Sequence, residues 1–121
     1  MNTIYWNCRG LGTPRAVHAV AKLVKKFNPQ LHFLSETKKR SSKMEWLRSR
    51  WKFDHCFAVD SLGRTGGLAL LWMKDVSVEV KSYSNNHIDV MMEGGIAKRC
   101  RFTGFYGNPI ANQKRESWAL L

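Results

Sequence analysis

The longest apolar run in the chain, GGLALLWM from Gly66 to Met73, has no alternation of apolar and polar residues. It is far shorter than the ~20 residues that cross a bilayer, but it is the length of a strand. A strand that is apolar on both sides has to sit in a sheet covered on both faces. Whatever this chain folds into must therefore place a layer above that strand and another below it.

The residues before the run supply helices. Ile4–Tyr5–Trp6 reads as a short strand ending at polar Asn7. The glycines of CRGLGTP permit a tight turn, and Thr13–Pro14 is a strong helix start, with a capping oxygen and a first-turn residue that needs no amide donor. Val17, Val20, Ala21 and Val24 recur at helical spacing until Asn28–Pro29 ends the pattern. Leu31 to Leu34 is a second strand, running into Ser35 and Glu36. Ser42 and Glu45 have capping-box spacing for a second helix with Met44, Leu47 and Trp51 on one face.

From Phe53 the period changes. FDHCFAV, GGLALLW, VSVEVKSYS, HIDVMM and CRFTGFY read as strands separated by glycine, aspartate and asparagine turns, and Asn112 starts a last helical pattern. The early order suggests βαβ packing, and the later strands suggest an antiparallel extension of that sheet. On this reading all helices lie on one side of the sheet, and the layer for its other face is not encoded. A chain of 121 residues built so is expected to be marginally folded, with an apolar face open to self-association.

Charge narrows the function. Twenty Lys and Arg against nine Asp and Glu leave +11, and the excess lies mainly in residues 1–40, which carry eight basic residues and one acid, Glu36. Such a field favours polyanionic partners, nucleic acid or an anionic membrane surface. Cys8, Cys56 and Cys100 are odd in number and far apart, which argues against a disulfide scaffold or a cysteine-rich zinc site and for a reducing compartment. The start, MNTIYWNC, has no basic-then-apolar signal pattern.

The candidate site follows from strand ends. Open sheets place ligands at the carboxyl ends of parallel strands, so parallel first and second strands put Asn7 and Glu36 on one rim. Glu36 is suited to a hard divalent cation such as Mg²⁺, and Asn7 can serve the ion, a bound water or a phosphate. Tyr106 and Asn108 in FTGFYGNP occupy another strand end, where a phenol can donate to a phosphate oxygen. Arg64, next to Gly66 and Gly67, is a weaker phosphate candidate. Each has a plain structural alternative: a turn cap for Asn7, a solvated carboxylate for Glu36, a core-edge Tyr106, an Asn–Pro turn at Asn108 and a solvated Arg64. His18, His32, His55 and His87 show no ligand spacing and read as structural, and the five tryptophans read mostly as core.

Taken together, WNCRGLG, FLSETK, GRTGGLALLW, HIDV and RFTGFYGNP followed by RESWALL resemble the amino-terminal half of the endonuclease/exonuclease/phosphatase domain. Within that family they are most similar to the endonuclease of plant LINE-type (non-LTR) retrotransposons. The resemblance spans residues 1–121 as half of one domain. It implies half of a four-layered αββα sandwich, an α/β (α+β) fold, and Mg²⁺-dependent hydrolysis of DNA phosphodiesters, with Mn²⁺ as a substitute and an intracellular, nuclear setting.

The resemblance also assigns residues. Glu36 becomes the metal ligand, Asn7 lies at the metal–phosphate site and Tyr106 holds the scissile phosphate, while Arg9, Lys38 and Lys39 strengthen the field for an anionic substrate. Asn108 departs from the pattern, since this chain has Tyr-x-Asn where many relatives have Tyr-x-x-Asn. The Asp-x-Asn and Ser-Asp-His motifs of the family's second half are absent, so the chain alone is expected to be inactive and to need that half as its partner. Two alternatives stand beside this one. They are a non-catalytic retroelement-derived fragment that binds nucleic acid weakly, and a phosphoesterase of the same fold acting on small phosphoesters.

Overall fold

A computed structural model describes residues 3–63, 65–94 and 97–106. Its elements, in chain order, are β1 (Thr3–Asn7), α1 (Pro14–Phe27), β2 (Leu31–Ser35), α2 (Ser41–Arg50), β3 (His55–Val59), β4 (Leu68–Trp72), β5 (Val76–Ser84), β6 (His87–Gly94) and β7 (Ala97–Phe105). The Thr13 hydroxyl caps α1 by accepting from the Ala16 N–H at 3.2 Å, and Asn28 ends the helix in the left-handed region. The α2 start differs from the expected capping box. Ser42 lies inside the helix, Glu45 instead pairs with Arg48 at 2.6 Å, and the N-terminal amide of Ser41 donates to the Asp60 carboxylate at 2.6 Å. A carboxylate from a distant loop thus satisfies the positive helix end.

The strands form two sheets. The first has the order β1-β2-β4-β3, with β1 and β2 parallel and the other pairs antiparallel. The second is the antiparallel meander β5-β6-β7. The expected antiparallel extension holds for β4 and β3 but not for β5–β7, which form the second sheet, and the expectation of a missing layer is wrong. After Met73 the chain turns back over the first sheet and covers its open face itself.

The packing explains why GGLALLW is apolar throughout. Ala69 and Leu71 point to the helices, where they join Val20, Met44, Leu47 and Trp51 in one buried cluster. Leu68 and Leu70 point the other way, joining Leu31, Phe33, Ile88, Val90 and Phe102 between the sheets. Both helices thus lie on one outer face and the second sheet lies on the other. Gly104 sets the spacing of the two sheets, because a Cβ there would lie 2.6 Å from the Phe33 ring. That approach lets Phe33 and Phe102 meet edge to face with centroids 5.9 Å apart.

His32 lies fully buried in the helix-side core without a hydrogen-bond partner among the described residues, and burial pushes its pKa down to about 4. It is a neutral core residue, as the sequence suggested. The tryptophans divide. Trp51 is buried, whereas Trp46 is 52% exposed and Trp6 39% exposed, so the expectation of mostly core tryptophans does not hold for these two. The helix pattern from Asn112 lies outside the described residues. No helix among the described residues is long and apolar enough to cross a membrane.

Candidate active site

The parallel register pairs Asn7 with Ser35, so the last residues of β1 and β2 end level and Glu36 follows at once. Beyond the strands the two loops stay together: Cys8 N–H donates to Ser35 O at 2.8 Å, Gly10 N–H to Glu36 O at 2.7 Å and Leu11 N–H to Thr37 O at 3.0 Å. A third loop closes on them. Thr37 N–H donates to Gly67 O at 3.1 Å and Lys38 N–H to Gly66 O at 2.9 Å. Glu36, Lys38 and Arg9 are held at positive φ (52°, 56° and 52°), a conformation non-glycine residues seldom adopt. Strain of this kind persists only where the surroundings over-determine it, and it clusters at functional sites.

Tyr106 arrives from the second sheet. It follows β7 directly, and its N–H donates to Asn86 O at 2.7 Å. Its hydroxyl donates to the Glu36 carboxylate, which also accepts from the Asn7 side chain. The Asn7 Oδ1 is occupied separately, accepting the Arg9 N–H at 3.0 Å, which leaves the amide nitrogen for Glu36. Asn7, Glu36 and Tyr106 therefore meet on one rim, where the edges of the two sheets converge.

Electrostatics follows from these contacts. The Tyr106 hydroxyl, then Asn7, and the charges of Lys38 and Arg9 hold the Glu36 carboxyl below its ordinary range, against the opposing effect of partial burial. It is ionised at neutral pH. Reciprocally, the bond to Glu36, with burial and the negative charge itself, pushes the Tyr106 phenol up to about 12. Tyr106 thus acts as a donor and not as a phenolate.

Sequence reasoning missed the supports under this rim. The Tyr5 hydroxyl bonds the Ser35 hydroxyl at 3.0 Å, tying β1 to β2 just beneath Glu36, and Tyr5 stacks on Phe33 at 5.3 Å. Thr37 is fully buried, and its Oγ1 accepts the Lys39 N–H at 3.3 Å. The alternation that puts Tyr5 and Asn7 on one sheet face is the available signal. Lys38 lies over Gly10 and Lys39 over Gly12, so both lysines bridge the first two loops. Arg64 and Asn108 lie outside the described residues.

Among the described residues no group of three or more His, Cys, Asp or Glu is arranged to hold a metal ion. One ionised carboxylate, hydrogen-bonded by Asn7 and Tyr106, does not make a closed cage. It does suit Mg²⁺, which keeps several waters and is usually bound by one or two carboxylates together with substrate phosphates.

Residues 4–121 match the Endonuclease/Exonuclease/phosphatase family, and the chain belongs to it. Solved structures are similar in fold. An AP endonuclease from Leishmania major superposes with a TM-score of 0.64 at 13% identity, covering 94% of this chain and 43% of that one. An AP endonuclease from Archaeoglobus fulgidus gives 0.62 at 22% identity, covering 96% and 46%. TDP2 from D. rerio, complexed with a single-strand DNA product, gives 0.61 at 15% identity, covering 91% and 47%. The chain thus spans a little under half the length of these structures. None of the curated proteins matches it in sequence.

Proposed function

We propose that this chain is the metal- and phosphate-binding half of a Mg²⁺-dependent endonuclease that hydrolyses DNA phosphodiesters. One observation carries the reading: an ionised Glu36, hydrogen-bonded by Tyr106 and Asn7 and flanked by Arg9 and Lys38, on a rim where two sheets of this family's fold converge. Glu36, with Asn7 beside it, would hold the ion. When bound, a divalent cation supplies charge stabilisation to the transferring phosphoryl group and its leaving oxygen. Arg9 and Lys38 draw the phosphate backbone to the rim and Tyr106, which keeps its proton, donates to a phosphate oxygen. Asn7 fixes the direction in which the carboxylate points. DNA as substrate accords with the +11 charge and with the neighbouring AP endonucleases, and WNCRG with SETK supports kinship with LINE-type retroelement endonucleases.

Activating the attacking water falls to the second half of the domain. Supercoiled plasmid incubated with Mg²⁺ tests this, using the chain alone and the chain joined to a carboxy-terminal half bearing the Asp-x-Asn and Asp-His motifs. Nicking is expected from the completed domain, and a severe loss with Glu36→Gln. Nicking by the chain alone would show that the visible half-site suffices, and no nicking by the completed domain would remove the nuclease reading.

A further inference from the structure

The helix face carries a second feature that the rim does not use. A cleft of about 330 Å³ runs between α1 and α2. Its floor is apolar, made by Leu11, Pro14 and Val17, and its other wall carries Lys39, Lys43, Trp46 and Arg50 without any acidic residue. The carboxylate next in sequence, Glu45, is already engaged by Arg48 at 2.6 Å.

Trp46 is the unexpected element. The buried side of α2 is filled by Met44 and Leu47, so the core does not require this indole, and it stands 52% exposed. Two cations already lie on the ring, the Lys43 ammonium at 4.1 Å and the Arg50 guanidinium at 5.5 Å from its centroid. An exposed tryptophan with flexible cations on it is the combination that single-stranded nucleic acid uses: a base displaces a cation to stack on the ring, and the displaced charge meets a phosphate. From Lys43 to Arg50 the helix rise of 1.5 Å per residue gives a wall about 10 Å long. That wall has room for a short stretch of unpaired strand. A duplex keeps its base faces stacked inside and has none to offer.

The cleft also joins the rim. Lys39 and Gly12 line it, and these residues neighbour Lys38 and Gly10, whose side chain and backbone are packed together on the loops carrying Glu36.

We propose that the α1–α2 cleft binds an unpaired stretch of nucleic acid, with one base on Trp46 and the flanking phosphates on Lys39, Lys43 and Arg50. The choice of ligand class rests on the nucleic-acid reading of the rim, but the binding needs neither metal nor hydrolysis. The experiment therefore uses the 121-residue chain in EDTA at low salt, with anisotropy of a dye-labelled thymidylate oligonucleotide as the readout. The same titration is run with a duplex of equal length and with a polyglutamate peptide.

Because stacking contributes ~1–3 kcal/mol per base, Trp46→Ala is expected to weaken single-strand binding about tenfold or more. Trp46→Phe, which keeps an aromatic face, should recover most of that loss, and Lys43→Glu should weaken binding and flatten its salt dependence. Thermal melts of each variant confirm that the fold is retained. Unchanged oligonucleotide binding in Trp46→Ala would overturn the proposal, as would a duplex that depends equally on Trp46. Polyglutamate binding with the same Trp46 dependence would overturn it too, making the cleft a site for acidic peptides. Plasmid nicking that fails in the domain completed by its carboxy-terminal half, while Trp46-dependent binding persists, would remove the nuclease reading alone.

Discussion

Gly67 offers a sharp test of how the rim is held. A Cβ at this position would lie 2.3 Å from Thr37 Oγ1 and 2.9 Å from the Lys38 backbone nitrogen, and φ is +90°. Thr37 is fully buried, and backbone cannot rotate away, so Gly67→Ala must separate the two loops. The separation breaks the Thr37 N–H bond to Gly67 O and the Lys38 N–H bond to Gly66 O, each worth about 1 kcal/mol. The left-handed backbone adds about 1–2 kcal/mol for a residue with a Cβ. The expected cost is therefore about 3–4 kcal/mol, read as a fall in Tm of roughly 10–15 °C for a chain of this size. Gly66→Ala is the control: φ is +76° there, but nothing lies within 4 Å of the added carbon. Only the backbone term applies, about 1–2 kcal/mol. Urea unfolding of both variants separates the contributions. Equal losses at the two positions would refute the close approach as the reason for Gly67.

Two further outcomes follow from the charges. Glu36→Gln should bring the Tyr106 phenol down from about 12 towards the ordinary tyrosine value, and ¹³C-tyrosine NMR across alkaline pH resolves it from Tyr5 and Tyr83; no movement would separate Tyr106 from Glu36. Asp89, buried on β6, accepts from both Arg101 and Thr103, and these bonds hold its carboxyl below the ordinary aspartate range. The folded state then binds fewer protons than the unfolded chain, so this contribution is fully present above about pH 4 and is lost as pH falls through the folded value. Asp89→Asn should flatten the acid limb of a stability–pH curve, and an unchanged limb would place the acid sensitivity elsewhere.

Much of this structure could be read locally. Thr13–Pro14 and Asn28–Pro29 bound α1 because caps and proline act on their own backbone, and the strand from Val76 to Ser84 shows its period without help. What could not be read was set at a distance. The α2 cap comes from Asp60, nineteen residues beyond the helix start, where the local pattern favoured Ser42 and Glu45. The second layer is hidden in the sequence for a related reason. A two-sided apolar strand states that it is covered but not by what, and the answer depended on β5–β7 folding back so that Phe102 and Gly104 met Phe33. The rim itself was legible from strand ends alone, since Asn7 and Glu36 needed only a parallel pairing. Tyr106 reached it through packing between sheets, and its link to Glu36 is invisible in one dimension.

The central claim is that Glu36 marks the place where a divalent cation and a phosphate would meet. Mn²⁺ titrated into ¹⁵N-labelled chain tests it without requiring catalysis, because the paramagnetic ion broadens amide signals near its site. Selective broadening of the amides of Asn7, Glu36 and Tyr106 is expected at low Mn²⁺, abolished in Glu36→Gln. Broadening that survives Glu36→Gln unchanged, or that centres instead on Glu79 and Glu93 of the second sheet, would contradict it.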